Sequence, residues 1–503
     1  MTGSSNSSNS RHEHGLSKSR IAAFEQCPKR LWLLVHKPEL ADLDPTKALR
    51  LSAGHEVGDA ACSLVPGGVM IEAQQDLATA AERTAQLIAA GERQPLFEAT
   101  FVHDGVLVRL DIMEPRTDGS WHVVEVKSST SRKECYIADL ATQLWVLREN
   151  GIAVGSAAIR HINNQFELEH EGCLEGLFVD APSLEDANNL IHSRAETASA
   201  ARTVLAGDEP SMEMGDHCQS PYSCEFSSYC AQSVIEPDWP ISLLPHSGRK
   251  LANQWAQSDV HDLTDLPLGS LANPIHARIH KATSTGIAYR DAEGARLATA
   301  QWSWPRSYID FETIAFAVPR WIGTRPWQQV PFQFSLHIEE EAGALVHKEF
   351  LCLGPVDPRR LCAEALLGAV PKEGAIIAYN ASFERTCVKQ LAAFFPDLRE
   401  DLEALANRIV DLLPVTRKHW YHREQRGSWS IKAVLPTITQ ESGYEALSVA
   451  DGSAAQAAYL EASRPECDPE RKEQIAHDLR EYCALDTSAM VALLHHLTTD
   501  GDA

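Results

Sequence analysis

The sequence predicts an α/β protein made of two successive blocks, and three observations carry that expectation. Two short runs rich in β-branched residues, "GVLVRLDIM" and "HVVEVKSS", sit among helical patterns in the first half. From about residue 301 the chain reads strand, strand, strand, helix, strand, helix, which implies a mixed sheet flanked by helices. The length, 503 residues, is enough for two to four domains.

Taken in order, residues 1–15, "MTGSSNSSNSRHEHG", are polar and predict a disordered tail. Residues 16–235 form the first expected domain, opening on the helix "SRIAAFEQCPKRLWLLVH" before the two strands. The stretch "SLEDANNLIHSRAETASAARTVLAG" predicts one helix, with Ser183 as N-cap, Asp186 three residues later and Gly207 past its end. Residues 236–300 read as a linker: "EPDWPISLLPHSG" is Pro-rich, and "SLANPIHARIHKATSTG" predicts a short helical connector. The second domain spans 301–498. Its strands lie in "SYIDFET", "VPFQFSLHI", "HKEFLCLG" and "AIIAYN". Its helices lie near 357–369, in "SFERTCVKQLAAFF", and in the long final "PERKEQIAHDLREYCALDTSAMVALLHHL".

Hydrophobic residues make up 44% of the chain and charged residues 23%, ordinary values for a soluble globular protein. There is no run of eighteen apolar residues to span a membrane, and the N-terminus lacks the apolar core of a signal peptide. The expectation is a cytoplasmic protein with reduced thiols, in which clustered cysteines suggest metal and not disulfides. A net charge of −24 argues against indiscriminate nucleic-acid binding but leaves room for a local basic groove.

Asp111 falls in one apolar run, and Glu125 and Lys127 stand two apart on the next. Residues two apart on a strand share a face. Asp111 and Glu125 on neighbouring strands would then hold one divalent cation, with Lys127 beside it. Phosphodiester hydrolysis uses that arrangement: carboxylates bind Mg²⁺, the metal acidifies a water, and the lysine orients it or offsets developing charge. The alternative is two amphipathic strands joined by a surface salt bridge. Further along, Cys218, Cys224 and Cys230 follow one another at equal six-residue steps. Disulfides use cysteines in pairs, whereas a metal site usually takes four ligands.

With these residues the first block resembles the RecB-type branch of the PD-(D/E)XK nucleases, including members that carry an iron–sulfur cluster. The resemblance implies a restriction-endonuclease-like domain. His55 in "SAGHEVGDAA" would join the metal site, Gln143 in "DLATQLWVL" would be a further catalytic residue, and Glu98 in "FEATF" a strand acid. It departs at Leu147, where the branch often has tyrosine. It also implies a fourth cluster ligand ahead of the nuclease core, Cys27 in "EQCPKRLW". Cys27, Cys218, Cys224 and Cys230 would then hold one [4Fe–4S] cluster. Thiolates suit zinc as well, although C-x5-C-x5-C is not the CxxC of most zinc ribbons. Zinc and unrelated buried thiols stay as alternatives.

The second block carries its own acids. "YIDFET" puts Asp310 and Glu312 on one face of a strand, "YNASFE" puts Glu384 at a helix start, and "EYCALD" puts Tyr482 and Asp486 on one helix face. Four acids from three elements repel one another unless cations intervene. Two Mg²⁺ or Mn²⁺ ions would neutralise them and clamp the attacking and leaving oxygens of a phosphodiester, with Tyr482 positioning the water. In order and placement these motifs resemble the DnaQ-like 3′–5′ exonucleases of the RNase H-like fold, in the subgroup with tyrosine in the last motif. "VDLLPVTR", with Asp411, resembles the segment after that family's second motif. The departure is Glu384, where the family normally has aspartate. The extra methylene moves the carboxylate by about one carbon–carbon bond, and catalysis is sensitive to displacements of about 1 Å. The fusion of both blocks, with "GSWSIKAVLP" between motifs, resembles a poorly characterised bacterial family.

"RKHWYHREQRGSWSIK" mixes basic and aromatic residues. Arg417, Lys418, Trp420, Arg423 and Lys432 are the candidates for nucleic-acid contact, since Arg and Lys meet phosphates and Trp stacks on bases. An ordinary exposed basic loop is the alternative. There is no P-loop or helicase motif, so ATP-driven unwinding would need a partner such as a helicase or other repair or defence protein. The expected function is a nuclease with two metal centres acting on nucleic acid, with DNA placed ahead of RNA. The competing reading is a catalytically weakened nucleic-acid-binding or assembly module.

Overall fold

Two large sheets and a two-stranded pair organise the described residues. The computed structural model describes residues 15–42, 47–72, 77–91, 93–232, 237–439, 443–444, 447–449 and 451–499. The expected tail, 1–15, lies outside these except for its last residue. The chain divides into two units, residues 1–234 with 316–327, and residues 235–315 with 328–503.

In the first unit the strands are β1 (Leu16–Ser17), β2 (Val69–Met70), β3 (Leu96–His103), β4 (Val106–Pro115), β5 (Trp121–Lys127), β6 (Val154–Ile162) and β7 (Phe178–Pro182). They form one sheet in the order β2-β3-β4-β5-β6-β7, with β1 added alongside β4. β3, β4 and β5 run antiparallel, and β5 pairs parallel with β6. That parallel step needs a crossover, supplied by the helix Glu134–Glu149. Alternation on β4 explains the site. Val106, Val108, Leu110 and Ile112 are buried, while Arg109 and Asp111 between them are only partly covered. The crossover helix buries Leu140, Leu144 and Leu147 in the same core, so Leu147 is a packing residue here.

Two sequence expectations change. The helix expected from Ser183 to Gly207 is two helices, Leu184–Ile191 and Arg194–Ala206. Ser193 Oγ and Arg194 Nε both donate to the Leu190 carbonyl and compete with the helical ladder at the break. Ser183 makes no cap bond; its hydroxyl donates to Ala181 O. The segment Phe316–Trp327, expected within the second domain, belongs to the first unit. There Ala317 and Val318 pack with Val57, Ile162 and Phe166, and Trp327 Nε1 donates to Ser128 O at 3.1 Å. A loop this apolar gains by being covered.

The second unit holds β8 (Tyr289–Arg290), β9 (Arg306–Ile314), β10 (Val330–Glu339), β11 (Leu345–Leu351), β12 (Ile376–Ala378), β13 (Ile409–Asp411) and β14 (Trp420–Tyr421). Five of them make a mixed sheet, β11-β10-β9-β12-β13, antiparallel on the β11 side and parallel on the β12 side. The 30-residue helix Pro469–Thr498 buries Leu479, Met490 and Leu494.

Residues 236–300 are not a connector. Ile241, Leu263 and Ile279 share one core with Tyr308, Ile377 and Leu494, and β8 pairs antiparallel with β14. Their apolar positions are spread among prolines and polar residues, so no single run betrays a core element. Ile279 is fully buried. Ile279→Ala should therefore destabilise the second unit by about 2–5 kcal/mol, as core truncations do. Urea unfolding followed by far-UV circular dichroism is the measurement; a loss below about 0.5 kcal/mol would mean that the segment is peripheral.

Candidate functional site

The tightest acidic group sits on the central strand of the second unit. β9 carries Asp310 and Glu312, opposite Ser335 and Gln333 of β10. The helix Pro469–Thr498 brings Asp486 to the same place, and ligand oxygens of Asp310, Glu312 and Asp486 lie within 4.8 Å of one another. Glu384 stands in the first turn of the helix Ser382–Phe394, 3% exposed, outside that triplet but near enough for its charge to act on Asp310. Burial and mutual repulsion resist ionisation throughout. Asp310 is held well above the usual carboxylate range by burial and by Asp486, Glu312 and Glu384. Glu312 is pushed up to about 8 by burial and Asp486, and Glu384 to about 7 by burial. Burial raises Asp486 too, against the hydrogen bond from Tyr444 and the charge of Lys432.

This donor set fits divalent cations. Glu384 Oε2 is buried with no hydrogen-bond partner in the structure, an omission that costs free energy unless something positive fills it. Tyr482 is buried beside Asp486, one helical turn before it. Three groups here escaped the sequence reading. Tyr444 donates its hydroxyl to Asp486 Oδ1. Cys483 Sγ lies 3.7 Å from Asp310 Oδ2. Asp451, N-cap of the helix Gly452–Ala462, adds its charge near Glu312. Tyr444 is 42 residues from its partner and sits in no periodic segment, so spacing offered no signal.

The basic stretch is not a loop. It folds as the helix Leu412–His419, β14, a turn and the helix Ile431–Val434. Trp420 corrects the expectation of a stacking residue. It is 3% exposed, donates Nε1 to Thr437 Oγ1 at 3.1 Å and meets the His496 ring edge-on at 4.3 Å. As half of a two-residue strand facing the core, it has no face left for a base. Arg417 and Lys418 are exposed, and half-buried Arg423 lies 5.5 Å from the Trp239 ring. Lys432 belongs elsewhere. Its ammonium lies 4.9 Å from the Tyr482 ring and 5.5 Å from the Tyr444 ring, and its charge lowers Glu312 and Asp486.

In the first unit Glu125 is ringed by donors. Lys18 Nζ is 2.5 Å and Lys127 Nζ 2.7 Å from its Oε1, and Gln143 Nε2 is 2.6 Å from Oε2. Burial opposes the charge on Glu125, but Lys18 and Lys127 outweigh it and hold the carboxyl at about 2. Asp111 is pushed the other way, to about 7, by burial and by Glu125. Its Oδ2 accepts the Val126 amide at 2.6 Å, which ties β4 to β5. Lys127 is also paired with Asp139 at 2.9 Å. Lys18 and Asp139 were not foreseen; Asp139 is one turn before Gln143 and shares its face, a signal the sequence did contain. Gln143 Oε1 is buried without a partner beside Glu125, an open acceptor suited to the water shell of an ion. His55 is exposed on the helix Lys47–Ser63, whose Val57, Ala60 and Ala61 face the core. Among the described residues, His55, Asp111 and Glu125 do not bring ligand atoms within 4.8 Å of one another. Glu98 pairs with Arg109 at 3.0 Å and adopts φ +57°, strained for a strand residue.

All four cysteines, Cys27, Cys218, Cys224 and Cys230, line one cavity with Leu33, Met212 and Phe226. Cys27 ends the helix Lys18–Gln26 and opens the helix Pro28–His36. Gln26 Nε2 donates to the His217 and Tyr222 carbonyls at 2.8 and 2.7 Å, and Arg30 pairs with Glu225 at 2.8 Å. These bonds join two segments nearly 200 residues apart. Four thiols with an apolar surround fit a thiolate-bound group. A single tetrahedral zinc draws sulfurs to about 3.8 Å from one another. Among the described residues, no three of these sulfurs lie within 4.8 Å of one another.

The comparisons with known proteins address only part of this. A family model described as a domain of unknown function, DUF2779, matches residues 307–430, which include Asp310, Glu312 and Glu384. The chain is similar to the uncharacterized protein UU173 of Ureaplasma parvum, 28% identical over 209 residues, 37% of this chain and 30% of that protein. It is also similar to the uncharacterized MG366 homolog of Mycoplasma pneumoniae, 25% identical over 260 residues, 46% of this chain and 39% of that protein. The chain therefore spans about a third of the length of these relatives. Among the described residues, no helix is long and apolar enough to cross a membrane.

The raised carboxyls set a pH dependence. Unfolded, these groups titrate near about 4; folded without metal, Glu312 titrates at about 8, and Asp310 and Asp486 are raised as well. Between those values the folded state binds more protons than the unfolded one, so metal-free stability falls as pH rises from about 4 toward about 8. Melting of the second unit in EDTA should be lower at pH 8 than at pH 5.5, and Mn²⁺ should restore it at pH 8. Asp310→Asn with Glu312→Gln should flatten both responses. A parent protein indifferent to Mn²⁺ at pH 8 would contradict a cation site here.

Proposed function

We propose that this chain is a metal-dependent nuclease with two centres, a DnaQ-like 3′–5′ exonuclease in the second unit and a RecB-like site with an iron–sulfur cluster in the first. The convergence of Asp310, Glu312 and Asp486 within 4.8 Å carries the reading. Three carboxylates so close, Glu312 and Asp486 buried and Asp310 half-buried, need protons or cations to coexist, and two-metal phosphodiester hydrolysis uses such a group. Asp310, Glu312, Glu384 and Asp486 would hold Mg²⁺ or Mn²⁺, which when bound would generate the nucleophilic hydroxide and stabilise the leaving oxygen. Tyr482, buried and next to Asp486, would orient the attacking water. Lys432 offsets part of the acidic charge. The mixed sheet with three antiparallel strands and two parallel ones supports an RNase H-like assignment.

For the first unit, Asp111, Glu125, Lys127 and Gln143 lie on one sheet face and its crossover helix, the placement that the RecB resemblance implies. Cys27, Cys218, Cys224 and Cys230 would hold a [4Fe–4S] cluster that clasps the ends of the unit and so stabilises it. Nucleic acid is the substrate class, DNA ahead of RNA, and a helicase is the kind of partner that such a nuclease would need. One observation favours a weakened first centre: Glu125, the expected ligand, is already neutralised by two ammonium groups.

Asp310→Asn should remove stepwise digestion from a free 3′ end of labelled DNA while leaving first-unit cleavage intact. Tyr482→Phe should slow digestion by about 10²–10⁴-fold, as the loss of a positioning or proton-handling group does. Undiminished digestion in Asp310→Asn would end the exonuclease reading. Protein purified without oxygen should contain iron and sulfide, with broad visible absorption that disappears in Cys218→Ala. Stoichiometric zinc in place of iron would replace the cluster by a structural zinc site.

A further inference from the structure

Two ammonium groups share Glu125 Oε1, and they are not held alike. Lys127 has three holds: Glu125 at 2.7 Å, Asp139 at 2.9 Å, and the Tyr136 ring 4.9 Å from its ammonium. Lys18 has Glu125 as its one salt-bridge partner among the described residues, at 2.5 Å, and its side chain is 22% exposed. Its backbone is fixed. β1 pairs parallel with β4 through Leu16↔Val106 and Ser17↔Leu107, and Ser17 Oγ caps the helix that Lys18 begins. Only the side chain can leave, and it is anchored beside the strand that carries Asp111.

A divalent cation on Glu125 needs the oxygen that Lys18 occupies. An ion and an ammonium at hydrogen-bond distance from the same oxygen repel strongly in a buried site. Lys127 is retained by Asp139 and Tyr136, so Lys18 is the group that yields. Without either cation, the 2%-exposed Glu125 would lose one of the two charges that allow it to be ionised there.

We infer that Lys18 is a tethered counter-ion of the first-unit carboxylate site, which holds Glu125 while no metal is bound and gives up that oxygen to an incoming divalent cation. This rests on the reading of Asp111 and Glu125 as metal ligands. Lys18 is thus a positioning residue that sets the metal affinity of the site, and cleavage there would begin only at metal concentrations high enough to displace it.

The test uses the full chain with Asp310→Asn and Glu312→Gln, so that Mn²⁺ binding reports the first unit. Mn²⁺ titration followed by electron paramagnetic resonance should show binding about tenfold tighter or more in Lys18→Met, with Lys18→Arg close to the parent. Reductive methylation of the otherwise unaltered chain, read by mass spectrometry, should label Lys18 several-fold faster when Mn²⁺ is added. This second readout stands even if Lys18→Met does not fold. Asp111→Asn separates the two ideas. If it abolishes Mn²⁺ binding while Lys18→Met leaves affinity unchanged and Lys18 labelling ignores Mn²⁺, the counter-ion role is overturned and the metal site stands. If Asp111→Asn leaves Mn²⁺ binding unchanged, the carboxylates are not the ligands, and both ideas fall.

Discussion

The cost of burying carboxylates is the constraint around which both units are arranged. An ionised carboxyl taken out of water must be paired, bound to a metal, or protonated. The two units answer differently. In the first, Lys18 and Lys127 come within hydrogen-bond distance of Glu125 and keep it ionised. In the second, Lys432, whose ammonium lies over the Tyr482 and Tyr444 rings, lowers Glu312 and Asp486, and Arg385 lowers Glu384, but burial outweighs both. Asp310, Glu312, Glu384 and Asp486 are therefore all raised. One site is closed by its own protein charges. In the other, burial keeps the carboxyls raised.

The folds deliver these groups by ordinary means. A parallel step between β5 and β6 requires a crossover helix, and that helix carries Asp139 and Gln143 to the sheet face that bears Glu125. In the second unit, antiparallel β9 and β10 place Asp310 and Glu312 on the central strand, and a 30-residue helix is long enough to present Asp486 while anchoring its far end in the core. The cysteine cavity works through distance along the chain. Gln26 and Arg30 bind the loop that carries Cys218 and Cys224, so that the cysteines of both segments line one cavity.

Where the sequence reading failed, tertiary burial overrode local character. Trp420 looked like an aromatic in a basic loop, yet two residues of strand pairing with β8 turned it inward. Residues 236–300 looked like a linker because their apolar positions are interrupted by prolines, yet they complete a core. The apolar segment 316–327 left the sheet that its neighbours build and joined the first unit. Lys18 and Tyr444 have no pattern around them; each matters only because the chain returns to a carboxylate more than forty residues away.

What the sequence by itself determined is the chemistry on offer and the local frame that holds it. The two-residue spacing of Glu125 with Lys127 and of Asp310 with Glu312 sets them on common strand faces, and the four-residue spacing of Tyr482 with Asp486 sets them on one helix face, because backbone periodicity allows nothing else. Alternation of apolar and polar residues marked the strands, and the helix start after Ser183 was legible although that residue makes no cap bond. Tertiary structure alone decided which charges meet. It set Lys18 on Glu125, raised Glu384 by burying it, hid Trp420 and drew four cysteines to one cavity. Charge, burial and distance depend on contacts between segments far apart in the chain, and no local periodicity encodes them.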